Sequence, residues 1–249
     1  MRLLDHRADI HSQNGEDGVI AEILRRLELD HDVDGGRWCV EFGAWDGSYL
    51  SNTFALVDRH AWNAIYIEGD PAKFEDLLTT QARQPRIQAI EAMVGLSKHD
   101  EQSLDHLLAT TPIPHAYDLL SIDIDSYDLD VWASHTDYRP TIVCIEINSS
   151  LPPGVLQWHQ PGRPGNSFSS TVAVGRRLGY TLVCHTGNLI FVDDEQVPRL
   201  DLPELDLAHP ERLFVPDWLP RDHSVVLERL RQVTPLPVKT AVRKVIGRT

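Results

Sequence analysis

The sequence contains few cysteines, and their spacing argues against several kinds of site. Cys39, Cys144 and Cys184 are three among 249 residues, and each lies within an apolar run. There is no C-x-x-C pair of the kind that zinc sites and dithiol redox centres use. An odd number of widely separated cysteines does not favour a disulfide framework, so we expect buried, reduced thiols and a cytoplasmic protein.

Positive charge is also scarce. The chain has 23 Lys and Arg residues against 37 Asp and Glu residues, and its formal net charge at pH 7 is −14. Nucleic-acid phosphates would be repelled by such a chain, so we expect no nucleic acid as partner. No apolar stretch approaches the roughly 20 residues of a transmembrane helix, and the N-terminal region lacks the apolar segment of a signal peptide.

The sequence does contain a regular alternation of short apolar runs with amphipathic segments. A composition of 42% hydrophobic residues over this length can bury one sizeable core. Apolar runs such as "RWCVEF", "NAIYIE" and "TIVCIEIN" alternate with segments of helical periodicity such as "DGVIAEILRRLEL". Strands that are apolar throughout and alternate with helices indicate a parallel sheet with both faces covered.

Two further strands follow a loop rich in Pro and Gly. "YTLVCHTG" and "NLIFVDD" are separated by a tight Thr-Gly-Asn turn, which is typical of an antiparallel hairpin. We therefore predict an α/β fold: a Rossmann-like, doubly wound, mostly parallel seven-stranded sheet with helices on both faces and an antiparallel C-terminal hairpin. We assign residues 1–193, with an N-terminal helical segment, to this domain, and residues 194–249 to a Pro-rich extension with a basic terminal helix.

Polar residues collect at the ends of the predicted strands. In an open parallel sheet, ligands bind outside the carboxyl ends of the strands, so we expect these residues to share one site. They are Glu41, Gly43, Asp46 and Gly47 after the first strand, Glu68 after the second, Asp123 and Asp125 after the fourth, and Glu146 and Asn148 after the fifth.

The first of these strand ends, "VEFGAWDG", differs from a dinucleotide-binding loop. Its spacing is Gly43-x-x-x-Gly47 rather than G-x-G-x-x-G, and Glu41 and Asp46 would repel a pyrophosphate. A ligand that carries a cation and hydroxyl groups fits this loop better. Glu68 ends the second strand, where a carboxylate can accept both hydroxyls of a ribose.

Taken in order, "VEFGAWDG", "IYIEGDP", "LLSIDIDSYD" and "IVCIEIN" resemble the motifs of class I S-adenosylmethionine-dependent methyltransferases. The resemblance is greatest to the FkbM-like group and its sugar-modifying relatives, and it covers roughly residues 11–193. The opening "SQNGEDGVI" resembles a segment that precedes the fold in some of those proteins. The resemblance to this family implies an O-methyltransferase that acts on a hydroxyl of a saccharide or of a glycosylated natural product.

The resemblance also implies which residues hold S-adenosylmethionine. The methionine end would meet Glu41, Gly43, Asp46 and Gly47, with Asp123 beside it; the ribose would meet Glu68, the adenine Met93 or Ser97, and the cofactor carboxylate Asn52 and Gln13.

Asp123, Asp125, Glu146 and Asn148 form a candidate cation site. Residues i and i+2 of a strand point to the same side, so each pair would present two oxygen ligands at neighbouring strand ends. Oxygen ligands without cysteine suit Mg²⁺ better than zinc, and some O-methyltransferases that this chain resembles hold magnesium there. The sequence departs from their commonest pattern, since it has Glu-x-Asn rather than adjacent Asp-Asp or Asp-Asn. Mg²⁺ is nevertheless an expected cofactor.

Methyl transfer to a hydroxyl also requires a base and a place for the acceptor. The predicted base is Asp125 or His159. The loop "LQWHQPGRPGN" carries Trp158, His159 and Arg163, an aromatic platform with polar donors, and Asn188 on the hairpin is a further candidate for acceptor binding. The expected partner is a small molecule or saccharide, and a homo-oligomer is compatible with the sequence.

Two other functions fit parts of the sequence. Asp123-Ile124-Asp125 matches the Asp-x-Asp pattern of metal-dependent nucleotide-sugar glycosyltransferases, although "EFGAWDG" upstream disfavours that class. A non-catalytic module would result if the acids were only solvated strand ends, because a fold does not by itself imply a function.

Overall fold

A central sheet organises the chain. A computed structural model describes residues 2–31 and 36–220. Its strands are β1 (Trp38–Phe42), β2 (Asn63–Glu68), β3 (Ile87–Glu91), β4 (Ala116–Ile122), β5 (Arg139–Ile145), β6 (Tyr180–His185) and β7 (Leu189–Asp193). They form one seven-stranded sheet in the order β3-β2-β1-β4-β5-β7-β6. Strands β1 to β5 are parallel, and β7 is antiparallel to both of its neighbours.

Helices fill the connections between the strands. The α-helices are α1 (Glu16–Arg26), α2 (Phe54–His60), α3 (Pro71–Arg83), α4 (Leu104–Leu108), α5 (Asp128–Ser134), α6 (Phe168–Arg177) and α7 (Glu204–Ala208). Short 3₁₀ helices occupy Leu3–His6, Val197–Leu200, Pro210–Leu213 and Pro216–Trp218. Local sequence fixes their ends: α3 begins after Asp70, whose carboxylate accepts the N–H groups of Ala72 and Lys73 at 2.8 and 3.2 Å.

The sheet is covered on both faces, as predicted. Buried side chains of α1, α2 and α3 pack on one face, and those of α4, α5 and α6 pack on the other. Successive strand residues serve opposite faces, so that Cys39 joins the first cluster and its neighbour Val40 joins the second. Cys144 and Cys184 lie in the same cluster as Cys39, all three are unpaired, and burial raises the pKa of each thiol. The cysteines are therefore packing residues.

The hairpin at the end of the sheet is also confirmed. β6 and β7 pair antiparallel with His185 opposite Leu189, and the connecting residues are the Thr-Gly-Asn turn of the sequence. Gly187 has a φ of 117°, which a residue with a side chain rarely adopts. The predicted architecture of a mostly parallel seven-stranded sheet with an antiparallel hairpin is thus the observed one.

The segment after residue 193 contributes to the same core. Val197 and Leu200 are buried in the cluster that contains α1, and the carbonyl of Leu200 accepts a hydrogen bond from the Arg26 guanidinium at 2.7 Å. The predicted basic terminal helix lies outside the described residues. Between residues 2 and 220, in the parts that are described, no helix combines the length and the apolar composition that crossing a membrane requires.

Candidate ligand-binding site

The site lies where the order of the strands reverses. The reversal lies between β1 and β4: β2 and β3 are on the β1 side, and β5 is on the β4 side. The connections that follow β1 and β4 therefore diverge and leave a crevice between them. A cavity of about 1000 Å³ opens there, at the carboxyl ends of β1, β2, β4 and β5. The sheet topology therefore creates a binding site independently of any side chain.

Gly43 allows the chain to pass through this crevice. Its φ is 75°, and a Cβ atom added to it would lie 1.8 Å from the carbonyl oxygen of Asp123, which is closer than any side chain can approach. The N–H of Asp123 in turn donates to the carbonyl of Phe42 at 3.3 Å. The loops after β1 and β4 are thus in direct backbone contact at the floor of the cavity.

Glu41 holds the segment that leads into α2. Its carboxylate is buried and accepts hydrogen bonds from the Ser51 hydroxyl at 2.6 Å, the Asn52 N–H at 3.0 Å and the Thr53 hydroxyl at 2.5 Å. Burial raises the pKa of this carboxyl. Because these donors already surround it, Glu41 fixes the position of Asn52 at the cavity as well as lining the cavity itself.

Glu68 ties together the loops that follow β1 and β2. One of its carboxylate oxygens accepts the N–H of Trp45 at 2.8 Å, and the other accepts the N–H of Asp70 at 2.7 Å. The side chain is buried and lines the cavity. A carboxylate oxygen has a second lone pair, so Glu68 can still accept ligand hydroxyls while it holds the two loops.

Asp123 and Glu146 face each other across the ends of β4 and β5. Both side chains line the cavity. Burial raises the pKa of both groups, and the negative charges of Asp128 and Asp125 raise it further. Two such carboxyls favour a state in which one proton is shared between them.

The acids after β4 and β5 do not form the predicted magnesium site. β4 ends at Ile122 and β5 at Ile145, so the rule that strand residues i and i+2 share a side does not apply to the residues beyond them. Asp125 has left-handed backbone geometry with a φ of 59°, and its N–H donates to Glu146 Oε2 at 3.0 Å. The predicted ligands therefore lie in the loops that follow β4 and β5, not in the strands themselves.

Asn148, the fourth predicted ligand, has other partners. Its side-chain oxygen accepts the Ser150 hydroxyl at 2.6 Å, and its amide donates to the carbonyl of Pro164 at 3.1 Å. Within residues 2–31 and 36–220, no group of three or more His, Cys, Asp or Glu side chains is placed to hold a metal ion. The described residues therefore give the magnesium prediction no support.

Most of the residues predicted to hold the cofactor come together in the cavity. Those that line it are Gln13, Glu41, Gly43, Asn52, Glu68, Met93 and Asp123. Three others lie outside its lining and have local partners. The Asp46 carboxylate accepts the Ser48 and Tyr49 N–H groups at 2.8 and 2.7 Å, Gly47 packs over Leu77, and the Ser97 N–H donates to Asp100 at 2.9 Å.

The predicted acceptor residues separate into two groups. Asn188 lines the cavity, whereas Trp158, His159 and Arg163 lie outside its lining. The His159 ring packs 4.5 Å from that of Tyr127, and its Nδ1 accepts the N–H of Gly165 at 3.1 Å. The loop that carries these three residues reaches the cavity at Pro164 and Gly165 instead.

The cavity has further lining residues that the sequence did not single out. Asn14 and Glu16 lie beside Gln13 in the segment "SQNGEDGVI", and Asp128 closely follows Asp123 and Asp125. The others had no pattern that could have identified them. These lining residues include Asn14, Glu16, Trp45, Tyr49, Lys73, Asp128, Ser149 and Trp218.

The lining of the cavity is strongly acidic. Among the described residues that form it, eight are Asp or Glu, and one, Lys73, is basic. The Lys73 ammonium lies 4.2 Å from the ring centre of Trp45, so its charge faces an aromatic surface at the mouth. Low-dielectric walls strengthen the field of the carboxylates, and the cavity therefore attracts cationic groups.

Comparisons with known proteins give only distant likenesses. No family model and no curated protein matches the sequence. Similar solved structures include the N-terminal domain of EvdMO1 in the presence of SAH and D-fucose, at 12% identity and a TM-score of 0.40, with 69% of this chain and 80% of that one covered. TrmK of M. capricolum with its cofactor product S-adenosylhomocysteine (SAH) has 10% identity, a TM-score of 0.43, and coverage of 91% and 86%. The CurJ carbon methyltransferase has 10% identity, a TM-score of 0.47, and coverage of 74% and 56%. Such distant likenesses assign no role to any residue of this chain.

The topology itself defines the class of fold. A seven-stranded sheet with parallel strands β1 to β5, and with β7 antiparallel between β5 and β6, is a Rossmann-like arrangement, as the sequence predicted. Its cavity lies at the topological switch point. An activity has to be argued from the site, because one fold hosts many functions.

Replacing Gly43 by Ala tests the backbone contact at the floor of the cavity. We expect Gly43→Ala to lower the free energy of unfolding by about 3 kcal/mol or more, because the added methyl group collides with the Asp123 carbonyl. Gly162→Ala is the matched control: Gly162 also has a positive φ, 81°, but nothing lies within 4 Å of its Cβ position. It should cost only about 1 kcal/mol. If urea unfolding showed equal losses of unfolding free energy for the two variants, the contact between Gly43 and the Asp123 carbonyl would not constrain the fold.

Proposed function

We propose that the chain is an S-adenosylmethionine-dependent O-methyltransferase that acts on a hydroxyl of a saccharide or a glycosylated natural product. The observation that carries this proposal is the acidic cavity at the switch point, which Gly43, Glu68 and Asp123 all line. This arrangement combines a close backbone approach, an acceptor for ribose hydroxyls and a negative field. S-adenosylmethionine supplies an electrophilic methyl group on a sulfonium.

The cavity residues fit that cofactor in charge and in shape. A sulfonium and an α-ammonium are both cations, and the eight acids of the lining favour them over a dinucleotide's pyrophosphate. Glu68 lies at the end of β2 with free lone pairs for the ribose. The side chains of Met93 and Trp45, 71% and 44% exposed, offer soft and aromatic surface for an adenine ring.

Asn52 and Gln13 remain the proposed partners of the cofactor carboxylate. Both line the cavity. The Asn52 amide donates to the Ser121 hydroxyl at 3.1 Å, and its backbone N–H donates to Glu41, so its orientation is fixed from two sides. An amide group has two N–H bonds, and the second is available to a carboxylate.

Carboxylates near the end of β4 are suited to accept the proton of the acceptor hydroxyl. Asp125 is exposed at the cavity, which Asp123 and Glu146 also line, and its N–H donates to Glu146. Asp125 would accept the proton of the acceptor hydroxyl, while bound S-adenosylmethionine would supply the methyl group and its sulfur would keep the electrons of the S–CH₃ bond. A positioned general base contributes roughly 10²–10⁴ to such a rate. His159 stays an alternative base, although it lies outside the cavity lining.

Cofactor binding is the first test. We expect calorimetry to detect binding of SAH to the wild-type chain, because its α-ammonium and its ribose hydroxyls suit the acidic lining and Glu68, whereas a diphosphate would be repelled. Glu68→Ala should weaken SAH binding about tenfold or more through lost ribose contacts. The matched control is Glu75→Ala, on an exposed position of α3, which should leave the affinity unchanged. Binding of UDP-glucose with Mn²⁺ in place of SAH would support a glycosyltransferase, and binding of neither would support a non-catalytic module.

The base is tested by replacing Asp125. With a radiolabelled methyl donor and a panel of methyl glycosides of glucose, galactose, mannose, rhamnose and fucose, we expect Asp125→Asn to lower turnover roughly 10²-fold or more. SAH affinity should change little. Asp130→Asn, in the first turn of α5 but outside the cavity lining, is the control. Full turnover of Asp125→Asn would exclude this carboxylate as the base.

The role of magnesium is tested by chelation. The donor atoms after β4 and β5 do not assemble a cation site, so we expect excess EDTA to leave both SAH binding and turnover on the same panel unchanged. A chelation-sensitive turnover that Mg²⁺ restores would show instead that these side chains rearrange around an ion.

A further inference from the structure

The C-terminal segment from Phe214 to Trp218 closes one end of the cavity. The N–H of Val215 donates to Nδ1 of His185 at 2.8 Å, which ties the segment to the last residue of β6. The Phe214 ring stacks on the His185 ring at 4.9 Å, with an angle of 20° between the planes. It also meets the ring of Phe168 edge-on at 5.3 Å. The Trp218 ring also lies against that of His185. Ring contacts among Phe168, His185, Phe214 and Trp218 therefore hold the segment in place.

His185 is a neutral anchor for this segment. It is buried, and burial lowers its pKa to about 4. With Nδ1 accepting from Val215, the other ring nitrogen carries the proton and lies 2.9 Å from the Ser149 hydroxyl oxygen. That hydroxyl donates onward to the carbonyl of Gly187 at 2.7 Å. The chain of hydrogen bonds links the segment, the hairpin turn and the loop after β5.

This anchoring places Trp218 in the cavity wall. The indole lies 5.4 Å from the His185 ring and lines the cavity together with Asn14 and Asn188. A Cβ atom on Gly187 would lie 3.1 Å from the indole and 2.9 Å from the Asn14 amide nitrogen, so the glycine leaves room for both side chains. An aromatic face and two amides therefore surround one end of the cavity.

The position of Trp218 along the sheet assigns it to the acceptor. Glu68 and Met93, at the proposed ribose and adenine sites, follow β2 and β3 on one side of the switch point. Gly187 and Trp218 lie beyond β5 on the opposite side. The donor half and the Trp218 half thus lie at opposite ends of one cavity, with Asp125 between them.

We propose that Trp218 is the platform on which a sugar ring of the acceptor packs, with Asn14 and Asn188 hydrogen-bonding to its hydroxyls. This inference rests on the proposed function and specifies the acceptor as a saccharide that is recognised through one ring face. The C–H face of a pyranose is apolar and flat, and an indole offers a rigid apolar surface of matching size. Amide groups both donate and accept, as neighbouring sugar hydroxyls require.

The test compares two tryptophans. Trp218→Ala should raise the KM for the methyl glycosides of the panel roughly tenfold or more, with SAH affinity and kcat little changed. Trp218→Phe, which keeps an aromatic face, should recover most of the loss. Trp158→Ala should have little effect, because Trp158 lies outside the cavity lining. Thermal melts of all three variants establish that each is folded.

Several outcomes would overturn the inference. An unchanged KM in Trp218→Ala, an equal loss of SAH affinity, or a larger KM effect from Trp158→Ala would each assign the sugar ring to another surface. Wild-type protein that binds SAH but methylates none of the glycosides would also contradict a saccharide platform, whereas absence of SAH binding contradicts the proposed function itself. The two failures are thereby distinguishable.

Discussion

The backbone contact between Gly43 and Asp123 is the constraint on which the site depends. At this point the loops after β1 and β4 diverge around the crevice, and the absence of a side chain on Gly43 lets them pass within contact distance. Every group assigned to the ligand follows from that geometry. Glu41 and Glu68, in β1 and β2, hold the loop that starts at Gly43, and Asp125 lies in the loop that starts at Asp123.

The acids of the cavity differ in how the protein stabilises them. Glu41 and Glu68 accept several hydrogen bonds from backbone and hydroxyl donors, so each is satisfied without a ligand. Burial and the neighbouring acids instead raise the pKa of both Asp123 and Glu146, which favours a protonated state for one of the two. Glu41 and Glu68 thus hold the loops that line the site. The protonation of Asp123 and Glu146 instead depends on the charge of a bound ligand.

The sequence predicted the fold well because its information is local. Apolar runs of strand length, helical periodicity and the Thr-Gly-Asn turn each reflect physics within a few residues, and the seven strands follow from them. The common location of Gly43, Glu68 and Asp123 was also predictable, since parallel strands bring their carboxyl ends to one edge.

Other features of the site depend on details that no short pattern encodes. The magnesium site was inferred from strand geometry at Asp123 and Asp125, but β4 ends at Ile122, before that geometry can apply. Trp158 was predicted to bind the acceptor because polar donors follow it in a loop, whereas no such pattern surrounds Trp218. Only tertiary contacts to His185 distinguish the tryptophan at the cavity from the one outside it.

The meeting of Asn14, Gly187 and Trp218 has a consequence for how the chain matures. These residues come from the beginning, the hairpin and the far end of the described chain, and they close the same wall. During synthesis the sheet can assemble long before Trp218 leaves the ribosome, yet the pocket stays open on one side until then. A nascent chain would therefore form its sheet before this wall of the cavity is complete.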